Sequence, residues 1–159
     1  MRLINKFLVF NIVLLLFTFT ACNKNRIFHE VKKFKDFKWN KTEKIHFETS
    51  IEQTDIKYDF LLNLRYIEGF PYKYLHLNIE ITDPDGKTKT NKLSIQIISD
   101  EKQYIGDGAG SYWDIDYPIP EYHFDKKGKY KITIEHAMKE NTLNLINEVG
   151  LSIISKENN

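Results

Sequence analysis

Residues 75–97, LHLNIEITDPDGKTKTNKLSIQI, decide the fold of this chain. Leucine or isoleucine occupies every second position in residues 75–81 and again in residues 93–97. An alternation with a period of two is typical of strands with one buried face and one solvated face. The intervening Asp83-Pro84-Asp85-Gly86 predicts a tight turn, since proline fixes φ and glycine readily takes a positive φ. The sequence therefore predicts a β-hairpin here.

The same alternation recurs on both sides of this hairpin. It covers residues 45–51, 56–66, 130–134 and 149–153, and only residues 137–148 leave room for a helical turn. Many short alternating strands with turns between them predict an all-β, antiparallel β-sandwich of immunoglobulin-like or jelly-roll-like topology. Alternation does not fix the order of the strands, so the sequence leaves both topologies open.

The N-terminus predicts export. Two basic residues lie among the first six, residues 7–19 are almost entirely apolar, and the small pair Thr20-Ala21 follows. This order is typical of a secretory signal peptide, and the apolar run is shorter than the ~20 residues of a membrane-spanning helix. The only cysteine, Cys22, comes next, and Phe19-Thr20-Ala21-Cys22 resembles a bacterial lipobox.

We expect cleavage before Cys22 and a covalent lipid on that cysteine, with no other cofactor. The alternative is a secreted protein with one free thiol, which is unusual because a lone exported cysteine cannot form an internal disulfide. Several acyl chains on one N-terminus hold a protein on a membrane stably. The predicted organisation is a lipoprotein signal peptide over residues 1–21, a tether and lead-in segment over 22–41, and a β-sandwich domain over 42–156.

The charge argues against a dedicated nucleic-acid binder. The formal charge of +1 becomes −1 once the two basic residues of the signal peptide are removed, whereas such binders have a clear basic excess. Residues 31–39, VKKFKDFKW, are locally basic with interleaved aromatic residues. They admit three interpretations: an edge strand with outward lysines, a membrane-surface patch, or a groove for single-stranded nucleic acid. The edge strand is favoured, followed by the membrane patch.

No motif indicates catalysis. The loop Gly106-Asp107-Gly108-Ala109-Gly110 has G-x-G-x-G spacing, whereas a dinucleotide fingerprint needs G-x-G-x-x-G ahead of a helix. Six carboxylates in residues 100–121 could supply oxygen ligands for calcium or form a solvated acidic loop. The five histidines have no zinc-site spacing, and there is no nucleophile elbow. We expect no catalytic residues and no metal site.

Aromatic residues cluster in or beside the predicted loops. They could cap the ends of the core, or they could form exposed platforms for sugars and anchors for a protein partner. The residues concerned are Tyr66, Phe70, Tyr72, Tyr74, Tyr104, Tyr112, Trp113, Tyr117 and Tyr122.

Three stretches carry a family resemblance. The first is Leu64-Arg65-Tyr66 with Phe70-Pro71-Tyr72-Lys73-Tyr74-Leu75, and the second is Tyr104-Ile105 followed by the glycine loop. The third runs from Gly128-Lys129-Tyr130 through His136-Ala137-Met138-Lys139 to Val149-Gly150-Leu151. In this order they resemble the gliding-motility lipoprotein family GldH of Bacteroidota. The chain departs from the family pattern at Phe70, Tyr74, Tyr104 and Lys139, and a lysine at the last position cannot fork onto a carboxylate as arginine does.

The resemblance implies a non-catalytic role in gliding motility, in the cell-envelope machinery linked to type 9 secretion. It implies two kinds of partner, membrane lipid through Cys22 and other envelope proteins, and no nucleic acid. Residues 23–26 contain no acidic run, which together with the resemblance predicts an outer-membrane position facing the periplasm. The candidate partner-binding residues are Arg65, Tyr72, Gly106, Gly108, Gly110 and Trp113, although Arg65 could equally be a structural residue.

Two other classes of function fit the residues. A carbohydrate-binding envelope lipoprotein would stack sugars on Tyr72, Tyr74, Trp113 and Tyr117. A metal- or carboxylate-dependent hydrolase would use the acidic residues of the 100–121 region, since a carboxylate pair needs only spatial proximity.

Overall fold

The computed structural model describes residues 25–120 and 122–156, in which the regular structure is β-strand apart from one 3-10 turn, Lys35–Phe37. In these ranges no helix is long and apolar enough to cross a membrane. The strands are β1 (Arg26–Lys33), β2 (Lys38–Asn40), β3 (Ile45–Ile51), β4 (Lys57–Ile67), β5 (Tyr74–Thr82), β6 (Thr88–Gln96), β7 (Asp107–Ala109), β8 (Tyr112–Pro118), β9 (Gly128–His136), β10 (Thr142–Asn144) and β11 (Ile146–Lys156).

Two antiparallel sheets form the body of the protein. The larger sheet has the order β1-β11-β4-β8-β7, and the smaller one has the order β3-β9-β5-β6. The short strands β2 and β10 pair with each other. Apolar residues from both main sheets belong to a single buried cluster, as expected for a β-sandwich.

The pairing of the strands decides between the two expected topologies. Leaving aside the short β2, β7 and β10, β1 pairs with β11, β3 with β9, β4 with β8, and β5 with β6. The first long strand therefore pairs with the last, the second with the seventh, the third with the sixth and the fourth with the fifth. This nested pairing, divided between two sheets, is that of a jelly roll.

The hairpin predicted from residues 75–97 is present as β5 and β6. Their register is regular from Tyr74 opposite Gln96 to Thr82 opposite Thr88. The Asp83 carboxylate accepts hydrogen bonds from the backbone N–H groups of Asp85 and Lys87, at 3.0 and 2.9 Å. Gly86 has a φ of +83°, which is the backbone conformation that favours glycine at this turn.

The alternation of β4 fixes its inward face. Phe60, Leu62, Leu64 and Tyr66 are buried, while the residues between them are only partly covered. The same burial pattern is seen in β3, β5 and β9, which confirms the all-β, antiparallel class.

Residues 137–148, which left room for a helical turn, do not form one. This segment contains β10 and the start of β11, and Leu145 between them has a φ of +67°, which a right-handed helix does not allow. β10 pairs with β2, so that Leu143 lies opposite Trp39 and both side chains are fully buried.

The segment expected as a tether and lead-in is folded from Arg26 onward. β1 is one of the two edge strands of the larger sheet, and β2 packs Trp39 into the core. The edge-strand interpretation of residues 31–39 applies only to residues 31–33, which belong to β1. Phe34 and Trp39 are buried and the lysines are exposed, but Phe37 is 38% exposed and does not pack onto the domain as that interpretation expected. The signal peptide and Cys22 lie outside the described residues.

Candidate interaction surface

A row of charged side chains crosses the outer face of the larger sheet. Asp107 on β7 lies opposite Asp114 on β8, which lies opposite Arg65 on β4. Arg65 in turn lies opposite Glu148 on β11, and Glu148 lies opposite Lys33 on β1. Because directly opposed residues of antiparallel strands point to the same side, the row joins one edge of the sheet to the other.

Arg65 is the centre of this row. Its Nε and Nη2 atoms donate hydrogen bonds to the two carboxylate oxygens of Asp114, at 2.7 and 2.9 Å. Its Nη1 atom makes a longer contact of 3.5 Å with Glu148, whose carboxylate also lies 3.4 Å from Lys33 Nζ. The hydrogen bonds to Asp114 raise the pKa of Arg65, so that this side chain is a fixed positive charge.

A second row of side chains, three polar residues and one aspartate joined by hydrogen bonds, runs beside the first. His29 Nδ1 lies 2.9 Å from Ser152 Oγ, the Ser152 hydroxyl donates to Asn63 Oδ1 at 2.8 Å, and Asn63 Nδ2 donates to Asp116 at 2.7 Å. Since the single Ser152 hydroxyl hydrogen points to Asn63, His29 must donate through Nδ1. These four side chains come from β1, β11, β4 and β8, so the row links four strands.

A polar groove of about 420 Å³ lies between the two rows. Gly150 occupies the strand position between Glu148 and Ser152, opposite Asn63 and Val31. A Cβ atom on Gly150 would lie 2.5 Å from the backbone oxygen of Glu30 and 2.5 Å from Val31. Glycine is therefore required here by the close approach of β1 to β11.

The glycine loop contains β7 and the start of the hairpin turn to β8. Gly106 has a φ of +119°, and a Cβ atom on it would lie 2.3 Å from the backbone oxygen of Asp114. Gly108 lies under the Trp113 ring, with a Cβ position 3.3 Å from two ring atoms. Gly110 has a φ of +63° in open space, as a hairpin turn requires. Each glycine thus has a separate structural reason, and the loop is followed by the strand β8 instead of a helix.

Most of the loop aromatics cap one end of the core. Five rings form a continuous series of contacts, in the order Trp113, Tyr104, Tyr66, Phe70 and Tyr72. The centroid distances between successive rings are 5.6, 5.9, 6.0 and 5.3 Å. Tyr66 is fully buried and donates its hydroxyl hydrogen to the backbone oxygen of Ile105 at 2.7 Å. Burial raises the pKa of Tyr66 to about 12.

The candidate residues thus divide into two groups. Arg65 lies on the outer face and pairs with Asp114 on β8, the strand that follows the glycine loop. Trp113 and Tyr72 are instead half-buried in the aromatic cap. Tyr117 is also half-buried, so of the four residues proposed for sugar stacking only Tyr74 is exposed.

Tyr112 was one of the loop aromatics that the sequence offered as possible anchors, but it was not among the candidate partner-binding residues. It is 38% exposed, and it continues the outward face of β8 beyond Asp114 and Asp116. The signal that could have identified it is the alternation of residues 112–119, in which every second residue faces the core.

The described acidic residues of the 100–121 region have different partners. Asp100 accepts from Lys73, Asp114 pairs with Arg65, and Asp116 accepts from Asn63. In the part of the chain that the structure describes, no group of three or more histidine, cysteine or acidic side chains is arranged to hold a metal ion.

The glycine loop and the N-terminal strand lie at opposite edges of the larger sheet. β7 and β1 are its two edge strands. Four strand spacings separate them, which corresponds to about 19 Å. Since Cys22 precedes Arg26 by four residues in the sequence, the loop lies on the edge far from the strand that follows this cysteine.

Comparisons with known proteins give one family. The family model described as GldH lipoprotein matches residues 26–153. A protein of Flavobacterium johnsoniae named gliding motility lipoprotein GldH is 30% identical over 99% of this chain and 100% of its own length. A protein of Christiangramia forsetii named gliding motility lipoprotein GldH homolog is 29% identical over 96% of this chain and 98% of its own length.

Among solved structures, the chain is similar to one from the infectious bursal disease virus Gx strain. The two are 13% identical with a TM-score of 0.30, and the match covers 84% of this chain but only 31% of the viral one. At this score the likeness carries no argument about the fold.

Proposed function

The chain belongs to the GldH lipoprotein family, and from this membership we propose that it is a non-catalytic component of the gliding-motility and type 9 secretion machinery of the cell envelope. The observation that carries the proposal is the match of the family model to residues 26–153, together with relatives that are similar over nearly their whole length. Those relatives are named as gliding-motility lipoproteins, and neither name describes an enzyme.

The protein is held on a membrane by lipid on Cys22, its only covalent cofactor. The sequence supports this through the basic start, the short apolar run and the lone cysteine after Thr20-Ala21. The membrane is the outer membrane, and the domain faces the periplasm. The support for this side is the lack of acidic residues in 23–26, together with the family membership.

The domain acts through contacts with other envelope proteins. The edge that carries β7 and the glycine loop supports this role, since an edge strand offers unpaired backbone groups and Tyr112 adds an exposed ring. The charged row fixes the shape of this surface, because Arg65 is held by Asp114 on the strand next to the loop. The partner-contacting residues are Arg65, Gly106, Gly108, Gly110 and Tyr112, with Tyr72 and Trp113 supporting them from the aromatic cap.

Genetic complementation tests this proposal. A strain of a gliding host that lacks its own family member is supplied with the full-length chain or with Cys22→Ala. We expect the wild-type chain to restore spreading on agar and the export of type 9 cargo, and we expect Cys22→Ala to restore neither. The proposal fails if the deletion strain glides and secretes normally, or if Cys22→Ala complements as well as the wild type.

A further inference from the structure

The N-terminal edge of the sandwich is basic and carries two exposed apolar side chains. Residues 26–38 contain five lysine or arginine residues and two acidic ones, although the chain after the signal peptide is slightly acidic overall. Ile27 is 44% exposed and Phe37 is 38% exposed. Among the described residues these are two of only four large hydrophobic side chains with this degree of exposure.

Local backbone structure holds both apolar side chains outward. The register of β1 against β11 shifts between Arg26 and Phe28, so Ile27 has no opposing residue. Asp36 and Phe37 have φ values of +54° and +56°, which non-glycine residues rarely adopt. Such a conformation persists only where the surrounding structure imposes it.

Two buried aromatic residues impose this conformation on the 3-10 turn. Phe34 precedes the turn and Trp39 follows it, and their rings stack with centroids 5.2 Å apart and an interplanar angle of 24°. Both are buried in the core, and the Phe34 backbone N–H also donates to Asn147 at 2.9 Å. Only four residues separate Phe34 from Trp39, so these two buried rings hold the 3-10 turn rigidly and Phe37 lies at its exposed tip.

Exposed lysines precede and follow the tip in the sequence. The side chain of Lys33 is 73% exposed even though it lies near Glu148, and Lys35 and Lys38 are exposed on both sides of Phe37. Lys32 lies 3.4 Å from Glu43, with half of its side chain exposed. Exposed ammonium groups with a neighbouring aromatic side chain are the combination that binds the headgroup region of an anionic bilayer.

We propose that this edge, made of Arg26, Ile27, Lys33, Lys35, Phe37 and Lys38, docks onto an anionic phospholipid surface next to the lipid anchor. The inference rests on the Cys22 anchor of the proposed function. β1 begins four residues after Cys22, a distance of at most about 14 Å in extended chain, so the edge is within reach of the membrane that holds the lipid. Docking lays the sandwich on its β1 edge and turns the opposite edge, with β7 and the glycine loop, away from the membrane.

A lipid surface explains the edge better than a protein partner does. The basic and apolar side chains are spread along one strand and its following turn, instead of being gathered in a compact, desolvated patch with a central hot spot. They also lie on the first strand after the anchoring cysteine and in the segment directly after it, close in sequence to the lipid.

Site-specific fluorescence on the full-length lipidated protein tests the docking. Because Cys22 is the only cysteine and its sulfur bears the lipid, Phe37→Cys can be labelled selectively with a small apolar fluorophore that replaces the ring. Thr90→Cys is the matched control, since Thr90 is exposed on β6, the edge strand remote from β1 in the other sheet. Both proteins are placed in vesicles of phosphatidylethanolamine with phosphatidylglycerol, or of phosphatidylcholine alone, containing a nitroxide-labelled quencher lipid.

We expect several-fold stronger quenching at position 37 than at position 90 in the anionic vesicles, and little difference in phosphatidylcholine. The pair Lys35→Glu and Lys38→Glu, or added salt, should remove the difference, because surface charges are screened within about 8 Å at physiological ionic strength. Equal quenching at both positions while the protein still floats with the vesicles would overturn the docking alone. Protection of position 37 only after envelope proteins are added would overturn it in favour of a protein partner, and loss of flotation would overturn the anchor itself.

Discussion

The guanidinium group of Arg65 forks onto the carboxylate of Asp114, with Nε 2.7 Å from Oδ1 and Nη2 2.9 Å from Oδ2. This pair joins β4 to β8, the strand that follows the glycine loop. The family-derived candidate Arg65 is thus both a structural residue and a part of the outer surface. Its structural role can be separated from its binding role by measurement.

Replacing Arg65 by lysine removes one of the two hydrogen bonds to Asp114, because an ammonium group cannot make two parallel hydrogen bonds to a carboxylate. The two side chains are 41% and 40% exposed. We therefore expect the free energy of unfolding to fall by only about 0.5–1 kcal/mol, as for other exposed pairs. Urea denaturation of Arg65→Lys, Asp114→Asn and the double variant measures the coupling, and additive effects of the two changes would contradict the direct pairing.

The glycine loop should respond very differently at its two ends. Gly106→Ala adds a Cβ atom 2.3 Å from the Asp114 backbone oxygen at a φ of +119°, so the strands must separate. We expect a loss of about 3 kcal/mol or more in the free energy of unfolding. Gly110→Ala meets nothing within 4 Å and has only the strain of its positive φ, a cost of about 1 kcal/mol. Thermal melting of the two variants compares them, and equal losses would show that the close approach at Gly106 is not real.

Gly150→Ala tests whether β1 is part of the sandwich. The new Cβ atom would lie 2.5 Å from Glu30 and Val31 on β1, so that β1 must move away from β11. We expect a loss of about 1–3 kcal/mol, as for other overpacked sites. Amide hydrogen exchange should become faster in β1 and stay unchanged in β5. Unchanged exchange throughout β1 would mean that this strand does not pack against β11 as described.

His136 should make the stability depend on pH. It is 2% exposed and packs edge-to-face on Trp39, with ring centroids 5.2 Å apart. Burial and the nearby Lys41 lower the pKa of His136 from 6.5, and Glu140, Glu135 and the backbone of Trp39 oppose this more weakly. Below pH 6.5 the unfolded chain takes up a proton that the folded chain does not, so stability falls as the pH decreases.

The size of this effect is about 1.4 kcal/mol for each unit by which the pKa is lowered. Denaturation of the wild type and of His136→Leu between about pH 7.5 and about pH 5.5, one unit on either side of the ordinary histidine pKa, measures it. We expect the variant to lose this fall in stability. The account of His136 as a buried neutral ring is wrong if both proteins show the same slope.

Strands in which aliphatic residues occupy every second position could be predicted from the sequence, whereas β1 and β8 could not. β4 and β5 bury a leucine, isoleucine or aromatic residue at nearly every second position, which makes the period of two visible in the sequence. No residue of β1 is buried, and its two half-buried residues, Phe28 and Val31, are three positions apart, so this strand shows no period of two. β8 does alternate, but its inward residues include Trp113 and Tyr117 between outward acids, which made it resemble an acidic loop.

The sequence predicted which residues belong to the candidate site but not how they are arranged in space. Arg65 and the glycine loop could be selected from a family resemblance, but their meeting depends on the register of β4 against β8, two strands whose paired residues lie about fifty positions apart in the sequence. Sequence reasoning also left open whether the loop aromatics face solvent. The structure buries Tyr66 and half-buries Trp113, because a sandwich needs large rings to close the open end of its core.

Affinity purification of the full-length lipoprotein from gently solubilised envelopes tests the central claim most directly. Gly108→Val pushes a branched side chain against the Trp113 ring, 3.3 Å from the added Cβ, whereas Ala109→Ser changes an exposed neighbour without crowding it. We predict that the wild type and Ala109→Ser recover the same set of envelope proteins and that Gly108→Val, folded and anchored, loses them. Recovery of no protein by the wild type, or of the same set by Gly108→Val, would contradict a function exerted through contacts at this loop.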